Sequence, residues 1–161
     1  VPDIDAMRRR ARLALGDMML RQEHPERALD QYKRAMEDFP NSPRPYHKLG
    51  NYYLDINRPD EARKYYRLAV EKDPNYLEAY NNLAALDMRQ GNYASATQIL
   101  EEMIKLDPTY ANAYLNRGII ASDIDKDREK ALDCFRHYVE LNGPRAAEAR
   151  RWIRELQAQP Q

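Results

Sequence analysis

The chain has 161 residues, which is enough for one domain with a substantial core. Lys and Arg together number 26, as do Asp and Glu, so the formal net charge is zero, and neither a strongly basic nucleic-acid-binding protein nor a disordered polyelectrolyte is expected. No apolar run approaches the roughly 18 residues of a membrane span, and the single cysteine, Cys134, excludes an intramolecular disulfide framework. Five glycines are few for a sheet protein, so the composition predicts a soluble, all-helical chain.

Residues 9–42 are predicted to form a first pair of helices. Gly16 is a small residue on the first helix, and Tyr32 is a large residue on the second. The break His24-Pro25 separates the two helices. Pro40 ends the pair, because proline lacks an N–H and disfavours helix in the residue before it.

Residues 43–76 show the same arrangement most clearly. The first helix carries an apolar stripe at positions i, i+3, i+4 and i+7, and the second helix carries a matching stripe. These two stripes are Tyr46, Leu49, Gly50, Tyr53 and Ala62, Tyr66, Ala69. The small residue of each stripe lets two helices approach closely, and the large residue fills the gap beside it.

Residues 77–110 and 111–144 repeat the pattern with two charged departures. Asp87 stands where the pattern has tyrosine, and Arg117 stands where it has leucine. Both positions fall on packing faces, so we hypothesise that they form a partly buried ion pair. The alternative is that the two side chains reach water separately.

The last of these pairs contains one extra residue, within residues 123–127. Its three aspartates alternate as in a calcium loop, but Arg128 and Cys134 stand where that loop needs glycine and glutamate. We therefore expect a solvated acidic turn, and the alternative is weak adventitious binding of a cation. Residues 145–158 are predicted to form a capping helix with an apolar stripe that includes Trp152, for which the alternative role is stacking against a ligand.

Equivalent residues of the four helix pairs recur at a step of 34 positions, as Pro40, Pro74 and Pro108 do. With Leu49, Gly50, Tyr53, Ala62, Tyr66 and Pro74 in order, the second pair of helices resembles the tetratricopeptide repeat. That resemblance implies an all-α, right-handed superhelical array of antiparallel helix hairpins within a single domain, 1–161. We expect four repeats (9–42, 43–76, 77–110 and 111–144) and the capping helix 145–158.

In such an array the first helices line a concave groove, which is the expected binding site for a peptide. The candidate groove residues are Arg44, His47, Lys48, Asn51, Asn81, Asn82, Asn112 and Asn116. The asparagines resemble the asparagine ladder of some tetratricopeptide arrays, whose amides bind a peptide backbone; the other interpretation is that they are polar residues on a wet helix face.

Basic residues gather towards the N-terminal half of this groove. They are Arg10, Arg21, Arg44 and Lys48, and Asp17 and Asp55 offset part of their positive charge. We therefore expect the partner to carry an acidic segment. The carboxylate clamp of chaperone-binding tetratricopeptide domains is not reproduced, so we do not predict binding to a chaperone tail.

The chain is predicted to be non-catalytic, because His24, His47 and His137 lie in different hairpin contexts and no motif for a nucleophile, phosphate, metal or cofactor is present. The leading prediction is an interaction scaffold that holds a partner peptide or helix in the groove. The alternative is an assembly module that acts through its convex face or ends, as a homo-oligomer or a complex subunit. RNA binding is not expected. The chain starts with Val1, so the absence of a signal peptide excludes no compartment.

Overall fold

The computed structural model describes residues 3–158, which form nine α-helices and one π-helical turn without a β-strand in that range. The prediction of an all-α helical repeat protein is confirmed. The helices are α1 (Ile4–Arg21), α2 (Pro25–Asp38), α3 (Pro43–Asp55), α4 (Pro59–Lys72), α5 (Leu77–Arg89), α6 (Tyr93–Leu106), α7 (Ala111–Ile120), α8 (Arg128–Glu140) and α9 (Ala146–Ala158); the π-helical turn is Ala121–Asp125. None of these helices is both long and apolar enough to cross a membrane.

The chain divides into two compact units, with the boundary between Ala79 and Tyr80 inside α5. In unit 1, α1 packs on α2, α2 on α3, and α3 on α4. In unit 2, α6 packs on α7, α7 on α8, and α8 on α9. Each unit therefore has a core of its own, made by helices that are neighbours in sequence.

In the first, second and fourth hairpins, a glycine on one helix faces an aromatic ring on the next. A Cβ added to Gly16 would lie 2.4 Å from a ring carbon of Tyr32, and one added to Gly50 would lie 2.4 Å from a ring carbon of Tyr66. Gly118 faces Phe135 in the same way, at 2.6 Å. The two helices of these hairpins thus approach closely where a small residue faces a large one, as the stripes predict.

The turns that close the hairpins share one left-handed residue. Positive φ angles of 60°, 57°, 76° and 56° occur at Glu23, Asn57, Gly91 and Lys126. In the first three turns, the N–H after that residue donates to a carbonyl five residues earlier, which satisfies an otherwise unpaired helix end (His24 to Met19, Arg58 to Tyr53, Asn92 to Asp87).

The π-helical turn Ala121–Asp125 accommodates the extra residue of the fourth hairpin. Its closing bond runs from the Asp127 N–H to the Ala121 carbonyl over 2.9 Å, so it spans one residue more than the equivalent bonds elsewhere. Two of the aspartates have structural roles here. Asp125 pairs with Arg117, and Asp127 accepts a bond of 3.0 Å from the Lys130 N–H at the start of α8.

Asp87 and Arg117 are both buried, with exposed fractions of 1% and 8%, but the predicted ion pair between them is wrong. Arg117 pairs instead with Glu101 at 3.3 Å and Asp125 at 3.0 Å. The Asp87 carboxylate accepts a bond of 2.5 Å from the Ser95 hydroxyl. The long arginine side chain reaches the half-exposed carboxylates of α6 and the π-helical turn, which lets its charge be balanced near water.

At the C-terminal end, α9 covers the core of α7 and α8. The Trp152 ring lies 5.3 Å from the Phe135 ring, and the Arg145 guanidinium lies over Trp152 at 5.2 Å. Trp152 thus packs against the last hairpin, as the apolar stripe predicts. A cavity of about 310 Å³ beside it is lined by residues that include Ile119, Phe135, Trp152 and Leu156.

Candidate functional site

Unit 1 contains a cleft of about 370 Å³ between α1 and α3, closed at one side by the segment that leads into α5. Polar side chains make up most of its lining. The lining residues are Arg10, Leu13, Ala14, Asp17, Arg44, His47, Lys48, Tyr76 and Glu78. Three of the candidate groove residues, Arg44, His47 and Lys48, are therefore brought together in this cleft.

The Asp17 carboxylate is the centre of a bridge between α1, α2 and α3. One of its oxygens accepts a bond of 2.6 Å from the Tyr32 hydroxyl, and the other accepts one of 2.6 Å from Lys48 Nζ. Burial and the neighbouring Asp17 raise the pKa of Tyr32, so the phenol remains protonated and keeps donating. The charge of Lys48 is largely balanced by this pair, which weakens the basic character expected for the site.

Asn51 occupies the corresponding place 34 residues later. Its side-chain oxygen accepts a bond of 2.8 Å from the Tyr66 hydroxyl, and the two residues have the same separation in sequence as Asp17 and Tyr32. In each of the first two hairpins, the residue after the motif glycine thus satisfies the hydroxyl of a tyrosine whose ring is buried. Asn51 therefore has a structural role in addition to the proposed contact with a peptide.

His47 lies between two tyrosine rings, with ring centroids 5.8 Å from Tyr66 and 5.4 Å from Tyr76. Its Nδ1 is 3.2 Å from the Tyr76 hydroxyl. Burial lowers the pKa of His47 to about 4, against an opposing effect of Glu78. At neutral pH the imidazole is uncharged, so it offers a ligand a polar ring and not a cation.

The buried imidazole makes stability depend on pH. The pKa in the folded state lies below the unfolded value of about 6.5, so His47 favours folding above pH 6.5, and this contribution is lost as the pH falls towards 4. We expect a loss of about 2 kcal/mol between pH 7 and pH 5 from this residue. Urea unfolding of the wild type and of His47→Gln at both pH values gives the difference. Equal pH dependence of the two proteins would contradict this assignment.

Two arginines supply the accessible positive charge of the cleft. Arg10 and Arg44 are exposed, and within residues 3–158 neither is joined to a carboxylate in an ion pair. Glu78, also exposed, contributes a negative charge on the same lining. The cleft therefore presents two accessible cations, one anion and a neutral imidazole around the Asp17–Lys48 pair.

The other four candidate residues belong to unit 2. Asn81 and Asn82 lie on α5 and are half-buried, while on α7 Asn112 is exposed and Asn116 is half-buried. Their side chains thus remain at least partly accessible to solvent, as a role in peptide binding requires.

The floor of unit 2 differs from that of unit 1. The positions that correspond to the Asp17–Tyr32 and Asn51–Tyr66 pairs hold Ala85 with Leu100, and Ile119 with Phe135. Leu100 and Phe135 have no hydroxyl that needs a hydrogen-bond partner. The residues paired with them, Ala85 and Ile119, are accordingly apolar. Half-buried Ile119 belongs to the lining of the cavity beside Trp152.

Sequence reasoning missed Tyr76 as a residue of the cleft. It closes the segment Asp73-Pro74-Asn75-Tyr76, which recurs as Asp107-Pro108-Thr109-Tyr110. In both segments the aspartate accepts a 2.9 Å bond from the N–H two residues later, and the tyrosine N–H bonds back to the aspartate carbonyl. The repeated segment was the signal that could have placed Tyr76.

Two tetratricopeptide repeat models match the chain, one over residues 9–52 and the other over residues 47–111. No sequence among the curated proteins matches it. Several solved structures are similar to the chain in fold.

MamA from Desulfovibrio magneticus RS-1 is 21% identical with a TM-score of 0.74, over 92% of this chain and 83% of that one. YrrB, described as a TPR protein with an unusual peptide-binding site, is 22% identical with a TM-score of 0.69, over 92% and 76%. Yeast Tom70 is 22% identical with a TM-score of 0.83, over 91% of this chain but only 32% of its own. The helix hairpins, their 34-residue step and these matches agree on one conclusion: the chain belongs to the tetratricopeptide repeat proteins.

Proposed function

We propose that this chain is a non-catalytic scaffold whose unit 1 cleft binds a segment of a partner protein. Tetratricopeptide repeat proteins in general act as interaction scaffolds, and YrrB, which has a similar fold, is described as having a peptide-binding site. The observation that carries the proposal is the ordered polar floor of the cleft, where Asp17, Lys48 and His47 are already held by hydrogen bonds. Because these groups need little further ordering, a ligand meets them at a low entropic cost.

The charge of the cleft favours a ligand with an acidic side chain. Arg10 and Arg44 are exposed on its lining and can each form a bidentate contact with a carboxylate. Glu78 opposes a densely acidic segment, so we propose a ligand with one or two carboxylates beside neutral or basic residues.

In unit 2, the side chains of Asn81, Asn82, Asn112 and Asn116 are proposed to contact the backbone of a peptide segment. A primary amide offers two donors and an acceptor, which matches the peptide group whatever the sequence of the ligand. This part of the proposal rests on the accessibility of the four side chains and on their places in the repeat.

The proposal is tested with peptides selected from a random dodecamer library displayed on phage. We expect selected peptides to carry Asp or Glu, and the double variant Arg10→Glu/Arg44→Glu to bind them at least about tenfold more weakly, measured by fluorescence polarisation. Arg67→Glu is the matched control, because Arg67 is an exposed arginine of α4 outside the cleft, and its affinity should be unchanged. Equal affinities of wild type and the double variant would contradict binding in the cleft.

The asparagines are tested on the same peptides with Asn82→Ala/Asn116→Ala, after the melting temperature has shown that the variant is folded. We expect weaker binding, with no preference among peptides of different sequence. Unchanged binding would exclude these two amides from the site. Unchanged capture by every variant would favour the alternative function, which is assembly through the convex face or the ends of the array.

A further inference from the structure

The cavity beside Trp152 lies between α9 and the hairpin of α7 and α8, on which α9 packs. Its apolar lining comes from all three helices and consists of Ile119, Phe135, Trp152 and Leu156. Phe135 is buried, whereas the other three side chains are half-buried and keep apolar surface that a ligand can cover. All of the lining belongs to unit 2, and no residue of the unit 1 cleft takes part.

A departure from the repeat keeps this space open. Glu155 follows Trp152 by three residues, as Tyr52 follows Leu49 in α3. At the same place α3, α5 and α7 bury an apolar side chain, in Tyr52, Leu86 and Ile120. The side chain of Glu155 is instead 59% exposed. Because this charged side chain stays in water, it does not fill the space beside Trp152 that an apolar residue would fill.

The rim of the cavity has one charge that is not balanced by a neighbour. Arg145 on the rim pairs with Glu148 at 2.7 Å, and Glu155 pairs with Arg151 at 3.3 Å. Asp123 is exposed, and its carboxylate forms no ion pair with any described residue. It belongs to the π-helical turn that ends α7, where the partial negative charge of a helix C-terminus adds to its own. The rim therefore favours a cation.

We propose that this cavity holds a large aliphatic or aromatic side chain of a partner protein, and that Asp123 pairs with an arginine or lysine beside that side chain. The apolar lining supplies the affinity through burial of the inserted side chain. The carboxylate of Asp123 supplies selectivity, since a guanidinium can bond both of its oxygens.

The size of the cavity agrees with this occupant. Its volume of about 310 Å³ lies at the lower end of the range of roughly 300–1,000 Å³ for ligand sites, so it suits one large side chain better than a cofactor. The inference goes beyond the proposed function, because the unit 1 cleft favours an acidic residue, whereas this cavity favours an apolar residue next to a basic one.

Trp152 is the single tryptophan of the sequence, so tryptophan fluorescence reports on this cavity alone. The probe is the blocked dipeptide acetyl-Leu-Arg-amide, for which we expect a saturable fluorescence change with a dissociation constant of about 1 mM. Acetyl-Ala-Arg-amide should bind at least about tenfold more weakly, because it buries less apolar surface. Acetyl-Leu-Glu-amide should bind about fivefold more weakly, because Asp123 repels it. No saturable change with acetyl-Leu-Arg-amide, or equal binding of the alanine dipeptide, would overturn the proposal.

Glu155→Leu gives α9 the residue that α5 has at this place, Leu86, and should fill the cavity. We expect it to bind acetyl-Leu-Arg-amide at least about tenfold more weakly by isothermal titration calorimetry. Its melting temperature should equal or exceed that of the wild type, because filling a cavity is commonly stabilising. The matched control is Glu155→Gln, which removes the same charge, keeps a polar side chain in water and should bind as the wild type does. Wild-type affinity in Glu155→Leu would overturn the proposal.

Asp123→Asn tests the role of the rim carboxylate. It should abolish the preference for acetyl-Leu-Arg-amide over acetyl-Leu-Glu-amide and keep the preference for leucine over alanine. Asp133→Asn is the matched control, because Asp133 is an exposed aspartate of α8 outside this cavity, and it should keep both preferences. A preference for arginine that persists in Asp123→Asn would contradict the assignment of this carboxylate.

The two proposed sites are separated by their variants. Arg10→Glu/Arg44→Glu changes only the unit 1 cleft and should bind acetyl-Leu-Arg-amide as the wild type does. Glu155→Leu should in turn leave the binding of acidic peptides to that cleft unchanged. Loss of dipeptide binding in the unit 1 variant would overturn the assignment of the dipeptide to this cavity.

Discussion

Gly50→Ala is expected to lower the free energy of unfolding by about 2 kcal/mol, although alanine favours helix over glycine by about 1 kcal/mol. A Cβ at this position would meet the ring of Tyr66, whose side chain is completely buried and has no space to move into. The rigid overlap therefore exceeds the gain in helix propensity. Urea denaturation of the variant and the wild type measures the difference.

The third hairpin of the same chain provides the matched rescue. At the positions that correspond to Gly50 and Tyr66 it has Ala84 and Leu100, and both are fully buried. We therefore expect Gly50→Ala to cost much less when it is combined with Tyr66→Leu. Tyr66→Leu alone is the control, because it removes the ring and the hydroxyl bonded to Asn51. Additive effects of the two substitutions would contradict the steric argument.

Glu101→Ala/Asp125→Ala is expected to destabilise the protein by about 3 kcal/mol. It removes both carboxylates that pair with Arg117 and leaves a buried guanidinium without an anionic partner. The two carboxylates are themselves 46% and 40% exposed, so their own loss should cost little. Thermal and urea unfolding both report this difference.

Adding Arg117→Leu to that variant should restore most of the lost stability. Leucine is the residue that the other hairpins have at this position, in Leu15, Leu49 and Leu83. Replacing a buried charge by a well-packed apolar side chain is often neutral or stabilising. Asp123→Ala is the control for a change in the π-helical turn, because Asp123 is exposed and does not pair with Arg117. A triple variant as unstable as the double variant would exclude this explanation.

The fold could be predicted because its determinants are local and repeated. The spacing between Gly50 and Tyr66 is the same as that between Gly16 and Tyr32, and both pairs make the same close contact. Turn residues were predicted less completely. Gly91 favours a left-handed conformation by itself, whereas Glu23 adopts it only because two packed helices require the chain to turn there.

Three of the eight candidate residues line one cleft, and the charge of that cleft was not predicted. The helical period placed Arg44, His47 and Lys48 on one face of α3, and they do line one cleft. Their chemistry depends on neighbours that are distant in sequence. Lys48 is paired with Asp17 of α1, and the pKa of His47 is lowered by burial between the rings of Tyr66 and Tyr76.

The sequence by itself determined the helices, their pairing into hairpins and the family, because each depends on residue type at a fixed spacing along the chain. Only the tertiary structure decided which charges are balanced, which carboxylates Arg117 reaches and how the fourth hairpin accommodates its extra residue in a π-helical turn. The reason is physical: electrostatic energy and burial depend on distances between side chains from different helices, and a one-dimensional pattern does not contain those distances.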